Sequence, residues 1–142
     1  MKELAKETPE AKSWIYGTLN NAGIRFPTVE GYSVKENRVT ALFARLKSTV
    51  PVEDWSESEI NSWLEINENR EDWVDRALLA SVLEVPLFLA LWENGVDKFR
   101  LLSVSARNGD VKARDEIVFR SCKELALWMS NLKGIEVSKA FI

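Results

Sequence analysis

Apolar residues recur at three- and four-residue spacing along most of the chain, the period of a helix with one buried face. The pattern begins after Thr8, a candidate N-cap with Pro9 at the first helical position, and runs to Gly23, a candidate stop. "IRFPTVEGY", 24–32, interrupts it and reads as a loop with extended character. "SVKE", 33–36, is spaced as a capping box, the Ser33 hydroxyl serving the Glu36 amide while the carboxylate reaches back. Val39, Leu42, Phe43 and Leu46 follow at i, i+3, i+4, i+7, and Pro51 ends that face. A second box, "SESE", opens at Ser56. Trp55 just before it and Ile60 at the fourth helical position have the spacing of a hydrophobic staple, and Ile60, Trp63 and Leu64 share a face.

A further helix is expected from about Asn69, carrying Trp73, Val74, Ala77, Leu78 and Val82. Pro86 is placed to open a short helix, "LFLALWEN", closed by Gly95. Asp97 is placed to cap "KFRLLSVSAR", which Gly109 ends. Asp110 would cap the longest helix, about 111–132, with Val111, Val118, Cys122, Leu125, Met129 and Leu132 on its apolar side. The expected fold class is therefore all-α: one domain over 1–134, a bundle of six or seven short helices without a sheet, then a tail over 135–142. Trp14, Trp63, Trp73, Trp92 and Trp128 are expected in the core, and Cys122 as a buried, inert thiol.

Composition supports a folded object and narrows its chemistry. With 142 residues, 46% of them apolar and 29% charged, the chain is long enough to bury a core. Its one cysteine forms no internal disulfide, which suits a reducing compartment. The longest apolar run, 77–92, is too short to span a bilayer and is broken by Glu84 and Pro86. The N-terminus lacks the apolar core of a secretory signal, so a cytoplasmic protein without a membrane partner is expected. There is no histidine, which removes Ser-His and Cys-His nucleophile systems and imidazole metal sites. No Gly-rich phosphate loop occurs. The carboxylate pairs Glu57/Glu59 and Glu71/Asp72 read as surface groups at helix starts. The expectation is a non-enzymatic protein with no cofactor and no metal.

Charge changes that picture most. Residues 53–75 hold nine acids against one base, and residues 98–142 hold nine bases against five acids. Solvated helix faces account for much of this. The sharper reading is a contact steered by charge, head-to-tail between copies or with another protein, in an adaptor, accessory or inhibitor role. Its candidate residues are Glu57, Glu68, Glu71, Asp72 and Asp75 on the acidic side, and Arg107, Lys112, Arg114 and Arg120 on the basic one. The alternative is a nucleic-acid-associated regulator, or a phage-type packaging or transcription accessory factor, using the basic C-terminal third. The net charge of −3 weighs against it.

Two stretches resemble a known family. "WSESEINSWLEI", Trp55–Ile66, is similar to the opening of a sterile alpha motif domain, and "LFLALWENGVDKFRLLSVS", Leu87–Ser105, to its middle. Over Trp55–Leu132 the resemblance implies a small helical bundle whose role is protein association. Lys98 stands where that family expects glycine, and an extra helix around Trp73 intervenes.

Overall fold

A computed structural model describes residues 2–24, 29–95, 98–129 and 140–141. It holds a mixed β-sheet where a helical bundle was expected. In chain order the elements are α1 (Pro9–Asn21), β1 (Gly31–Lys35), β2 (Arg38–Ser48), a 3-10 turn (Val52–Asp54), α2 (Glu57–Leu64) and α3 (Asn67–Leu83). Then come β3 (Leu87–Glu93), β4 (Phe99–Arg107), β5 (Asp110–Phe119), α4 (Cys122–Met129) and the two-residue β6 (Ala140–Phe141). The strands lie in the order β1-β2-β3-β4-β5, with β6 beside β4. All neighbours are antiparallel except β2 with β3 and β4 with β6. A parallel pair needs a long crossover, and α2 and α3 supply it between β2 and β3.

Four expected helices are strands. The run Val39–Leu46 lies in β2, "LFLALWEN" forms β3, "KFRLLSVSAR" forms β4, and the first half of 111–132 forms β5. The cause is burial on both sides of the sheet. Leu42, Ala44 and Leu46 face α2 and α3, while Ala41 and Phe43 join the core on the other side. Leu87, Phe88 and Leu89 are all fully buried. A strand with two buried faces loses its alternation, and its apolar run then fits a helical period equally well. Ser33 and Glu36 form no cap: Ser33 lies in β1, and Glu36 (φ 54°) and Asn37 (φ 63°) make the two-residue turn between Lys35 and Arg38. Asn108 (φ 52°) and Gly109 (φ 80°) do the same between Arg107 and Asp110. Two central residues with positive φ are what a tight hairpin's twist requires.

Where helices were expected and found, local chemistry explains them. The Thr8 hydroxyl accepts from the Ala11 amide at 3.2 Å to start α1, and Gly23 (φ 86°) follows its end. Ser56 and Glu59 make both bonds of the capping box, each 3.0 Å long. Trp55 and Ile60 line one apolar pocket, as a staple should. α3 begins at Asn67, two residues before expectation, and ends at Glu84 in the left-handed region.

The helices cover the sheet unequally. α2 and α3 pack Ile60, Leu64, Trp73, Ala77 and Ala80 against one face. On the other, Leu125 and Trp128 of α4 meet Phe88, Leu101 and Phe119, with Trp128 edge-on to both phenylalanine rings at 5.4 and 5.3 Å. α1 joins neither layer: none of its 13 residues is buried. Trp14 is 68% exposed, against the expected core position, whereas Trp73 is buried and Trp63, Trp92 and Trp128 are half-buried. The side chain of Cys122 lies outside what is described, as does most of the expected tail. Strands over Leu87–Glu93 and Phe99–Arg107 also overturn the sterile alpha motif resemblance, which requires helices there.

Candidate interaction surfaces

Part of the charge segregation in the sequence is consumed inside the fold. Arg100 on β4 points to the α2 side of the sheet and is 5% exposed. Its Nε and Nη2 donate to the two carboxylate oxygens of Asp115 on β5 at 3.0 and 2.7 Å. Its Nη1 donates to the carbonyls of Val52, at 2.8 Å, and Trp55. A buried guanidinium is tolerable only with its donors engaged, and four of the five N–H donors of this fork are. It ties the start of α2 to the middle of the sheet. Beside it, Lys98 pairs with Glu53, and that hydrogen bond holds the Glu53 carboxyl below the usual carboxylate range. Glu59 is lowered likewise by the capping hydrogen bonds from Ser56.

α2 also closes an edge of the sheet. β5 has β4 on one side only. On its open side the Asn61 side chain accepts from the Ala113 amide at 2.8 Å and donates to the Ala113 carbonyl at 3.0 Å. This reciprocal pair imitates one rung of a neighbouring strand. Glu57 accepts from the Asp115 amide at 3.1 Å. Glu57 is exposed, with its carboxylate engaged on that edge. A groove of about 660 Å³ follows this edge, lined by Glu57, Asn61, Glu65, Arg70, Asp110 and Lys112 among others. It mixes both signs of charge. Two mainly apolar cavities lie among the described residues, about 100 Å³ at Trp55 and Trp63 with Lys47 on its lining, and about 360 Å³ at Phe43, Trp92 and Phe99 with Glu30 and Arg45 on its lining. Among the described residues no group of three or more histidine, cysteine or acidic side chains is placed to hold a metal ion.

The remaining candidates, Arg120 apart, fall on two opposite surfaces. On α3, Trp73, Ala77 and Ala80 point to the sheet. At 3.6 residues per turn, Glu68, Glu71 and Asp75 lie on the reverse side and Asp72 on its flank. Glu68 and Glu71 are exposed, as is Asp72 near the partly buried Arg76, whose guanidinium stands 4.6 Å over the Trp73 ring. Burial lowers the Arg76 pKa, and the charges of Asp72 and Glu30 oppose that shift.

The basic residues belong to the other face of the sheet. Val111 and Ala113 point toward α2 and α3, so Lys112 and Arg114 alternate to the far side, where both are exposed. They stand opposite Ser105 and Ser103, and Arg107 stands opposite Asp110. The sheet thus brings Arg107, Lys112 and Arg114 together. It leaves Arg120 out, since eight residues of strand beyond Lys112 amount to about 26 Å. Sequence reasoning missed Arg100, Asp115 and Asn61. The signal available for Asp115 was period-two alternation in "VKARDE", which places it on the same side as Val111 and Ala113.

Compared with known protein families, curated proteins and solved structures, the chain matches none. No helix among the described residues is long and apolar enough to cross a membrane.

Proposed function

We propose that this protein works by charge-guided contact with another protein, as an adaptor or accessory factor, and catalyses no reaction. The observation that carries this reading is the placement of exposed, opposite charge on opposite surfaces, Glu68 and Glu71 behind α3 and Lys112 and Arg114 behind the sheet. Charge so arranged speeds encounter and selects partners more than it adds affinity. The lone cysteine favours a cytoplasmic setting. The test is affinity capture at low and high salt with the wild-type chain, a Glu68→Lys/Glu71→Lys variant and a Lys112→Glu/Arg114→Glu variant. The reading expects a defined protein retained by the wild type, lost at high salt and lost by one reversal. Retention of the same species by both reversed variants would sink it.

A second reading rests on the β4–β5 face alone. Arg107, Lys112 and Arg114 on one exposed surface also suit a phosphate backbone. Binding of a generic duplex at low salt, removed by Lys112→Glu/Arg114→Glu, would favour that reading over the first.

A further inference from the structure

We infer that the partner of these surfaces is a second copy of the chain, with α3 of one molecule seated on the outer β4–β5 face of the next. The inference rests on the charge-guided reading above and adds the identity and geometry of the occupant. Three observations point to it.

The first is that these charges are unspent. Three ion pairs form elsewhere among the described residues, Arg45 with Glu30, Lys98 with Glu53, and Arg100 with Asp115. Among the described residues Glu68, Glu71, Lys112 and Arg114 are exposed and engaged in no ion pair. On the basic face Asp110 stands opposite Arg107, and Glu116 accepts from the Ser103 hydroxyl at 2.6 Å. Lys112 and Arg114 are the cations between them.

The second is matching pitch. The exposed acids on the α3 stripe, Glu68 and Glu71, step by about 4.5 Å along the helix at 1.5 Å per residue. Lys112 and Arg114, two residues apart on a strand, step by about 7 Å. Long side chains absorb the difference, so a helix laid along the strand meets both cations in turn. Val82 lies at the end of the same outward stripe, 72% exposed, and supplies an apolar contact within the surface.

The third is position. α3 covers one face of the sheet, and Lys112 and Arg114 project from the other, so a molecule cannot satisfy its own charges across its own sheet. Using two different surfaces makes the contact heterologous, and such contacts propagate or close into rings; they do not stop at a two-fold dimer.

The test is light scattering of the full chain across protein concentration. At about 20 mM salt, where charges act over some 20 Å, the average mass should rise steadily with concentration. At about 500 mM salt it should return to 16.2 kDa. Lys112→Glu/Arg114→Glu and Glu68→Lys/Glu71→Lys should each remain monomeric at low salt. Mixing the two variants should restore association, because one then carries acids on both surfaces and the other bases. That rescue also shows that neither variant has merely unfolded. A monomer at low salt at every concentration would overturn the inference, as would a closed dimer or growth indifferent to salt. If self-association fails while the capture experiment still retains a salt-sensitive protein, the broader reading stands and only its occupant changes.

Discussion

The two edges of the sheet face the same physical problem and meet it differently. Both β1 and β5 carry a row of backbone groups with no neighbouring strand along the β1-to-β5 path. At β5 the problem is met chemically: Asn61 completes a rung on Ala113, and Glu57 takes the Asp115 amide. At β1 it is met by shape. The strand has five residues and its register shifts between Ser33 and Val34, while Tyr32 and Val34 stay exposed at 63% and 57%. Short, irregular edges are poor templates for pairing. The difference teaches that a helix crossing over the sheet can serve as a surrogate strand, provided something holds it in place. Here that anchor is Arg100.

Removing the anchor should be the largest perturbation. Arg100→Ala leaves the Asp115 carboxylate and the Val52 and Trp55 carbonyls without their donor and should cost about 3–5 kcal/mol in denaturant unfolding. Pairing Arg100→Met with Asp115→Leu should recover only part of that loss, since no charge is then stranded but the Val52 and Trp55 carbonyls still lack their donor. Next comes the surrogate rung itself. Asn61→Ala should cost about 1–3 kcal/mol and promote association through the exposed β5 edge. That association should persist at high salt, which separates it from charge-guided stacking.

At the other edge the effects should be small, and one should be favourable. Glu36 and Asn37 both hold positive φ, a region costly for most side chains, so Glu36→Asn with Asn37→Gly should raise stability by about 1 kcal/mol. Val34→Lys should stay within about 0.5 kcal/mol of the wild type, because no neighbour depends on that side chain's edge. A loss as large as that for Asn61→Ala would show that the β1 edge is engaged and would dissolve the contrast.

The least effect expected is on pH dependence. Glu53 and Glu59 have folded-state pKa values below their ordinary ones, Glu53 chiefly through its hydrogen bond with Lys98 and Glu59 through Ser56. Their contribution is complete above the ordinary carboxylate pKa and is lost as pH falls through the lowered values. Glu59→Gln should therefore lower stability at neutral pH, leave it little changed below the lowered pKa, and so flatten part of the acid limb of a stability–pH curve.

How much of this was legible follows from where the signals were local. α1 and α2 announced themselves through Thr8-Pro9 and through Ser56 with Glu59, because caps are made by residues a few positions apart. The sheet was hidden because its central strands are buried on both sides, so "LFLAL" carries no period to read. The hairpins could have been found: Asn108-Gly109 between the alternating "SVSAR" and "DVKAR" is a turn signal with a mechanism, and Asn94-Gly95 follows β3 in the same way. Of the candidate charges, Glu68, Glu71 and Asp72 on α3 and Lys112 and Arg114 on β5 are exposed, while Asp75 is half-buried. Which of them share a surface depended on strand parity, which a helical reading could not supply. The bond of Glu57 to the Asp115 amide was hidden for a plainer reason: that partner is remote in sequence.

The parallel pairing of β2 with β3 has a consequence in time. During synthesis from the N-terminus, β2 exists before residues 49–86 have been made, and its partner β3 comes only after them. The β3–β4–β5 meander closes through short local loops and can form early, whereas the β2–β3 seam must wait for a long loop to shut. Until then the side of β2 that will meet β3, with Leu42, Ala44 and Leu46 flanking it, is an uncovered apolar edge. Nascent chains are thus most exposed to mispairing in the interval between the two halves of the sheet, and a chaperone dependence should map to β2.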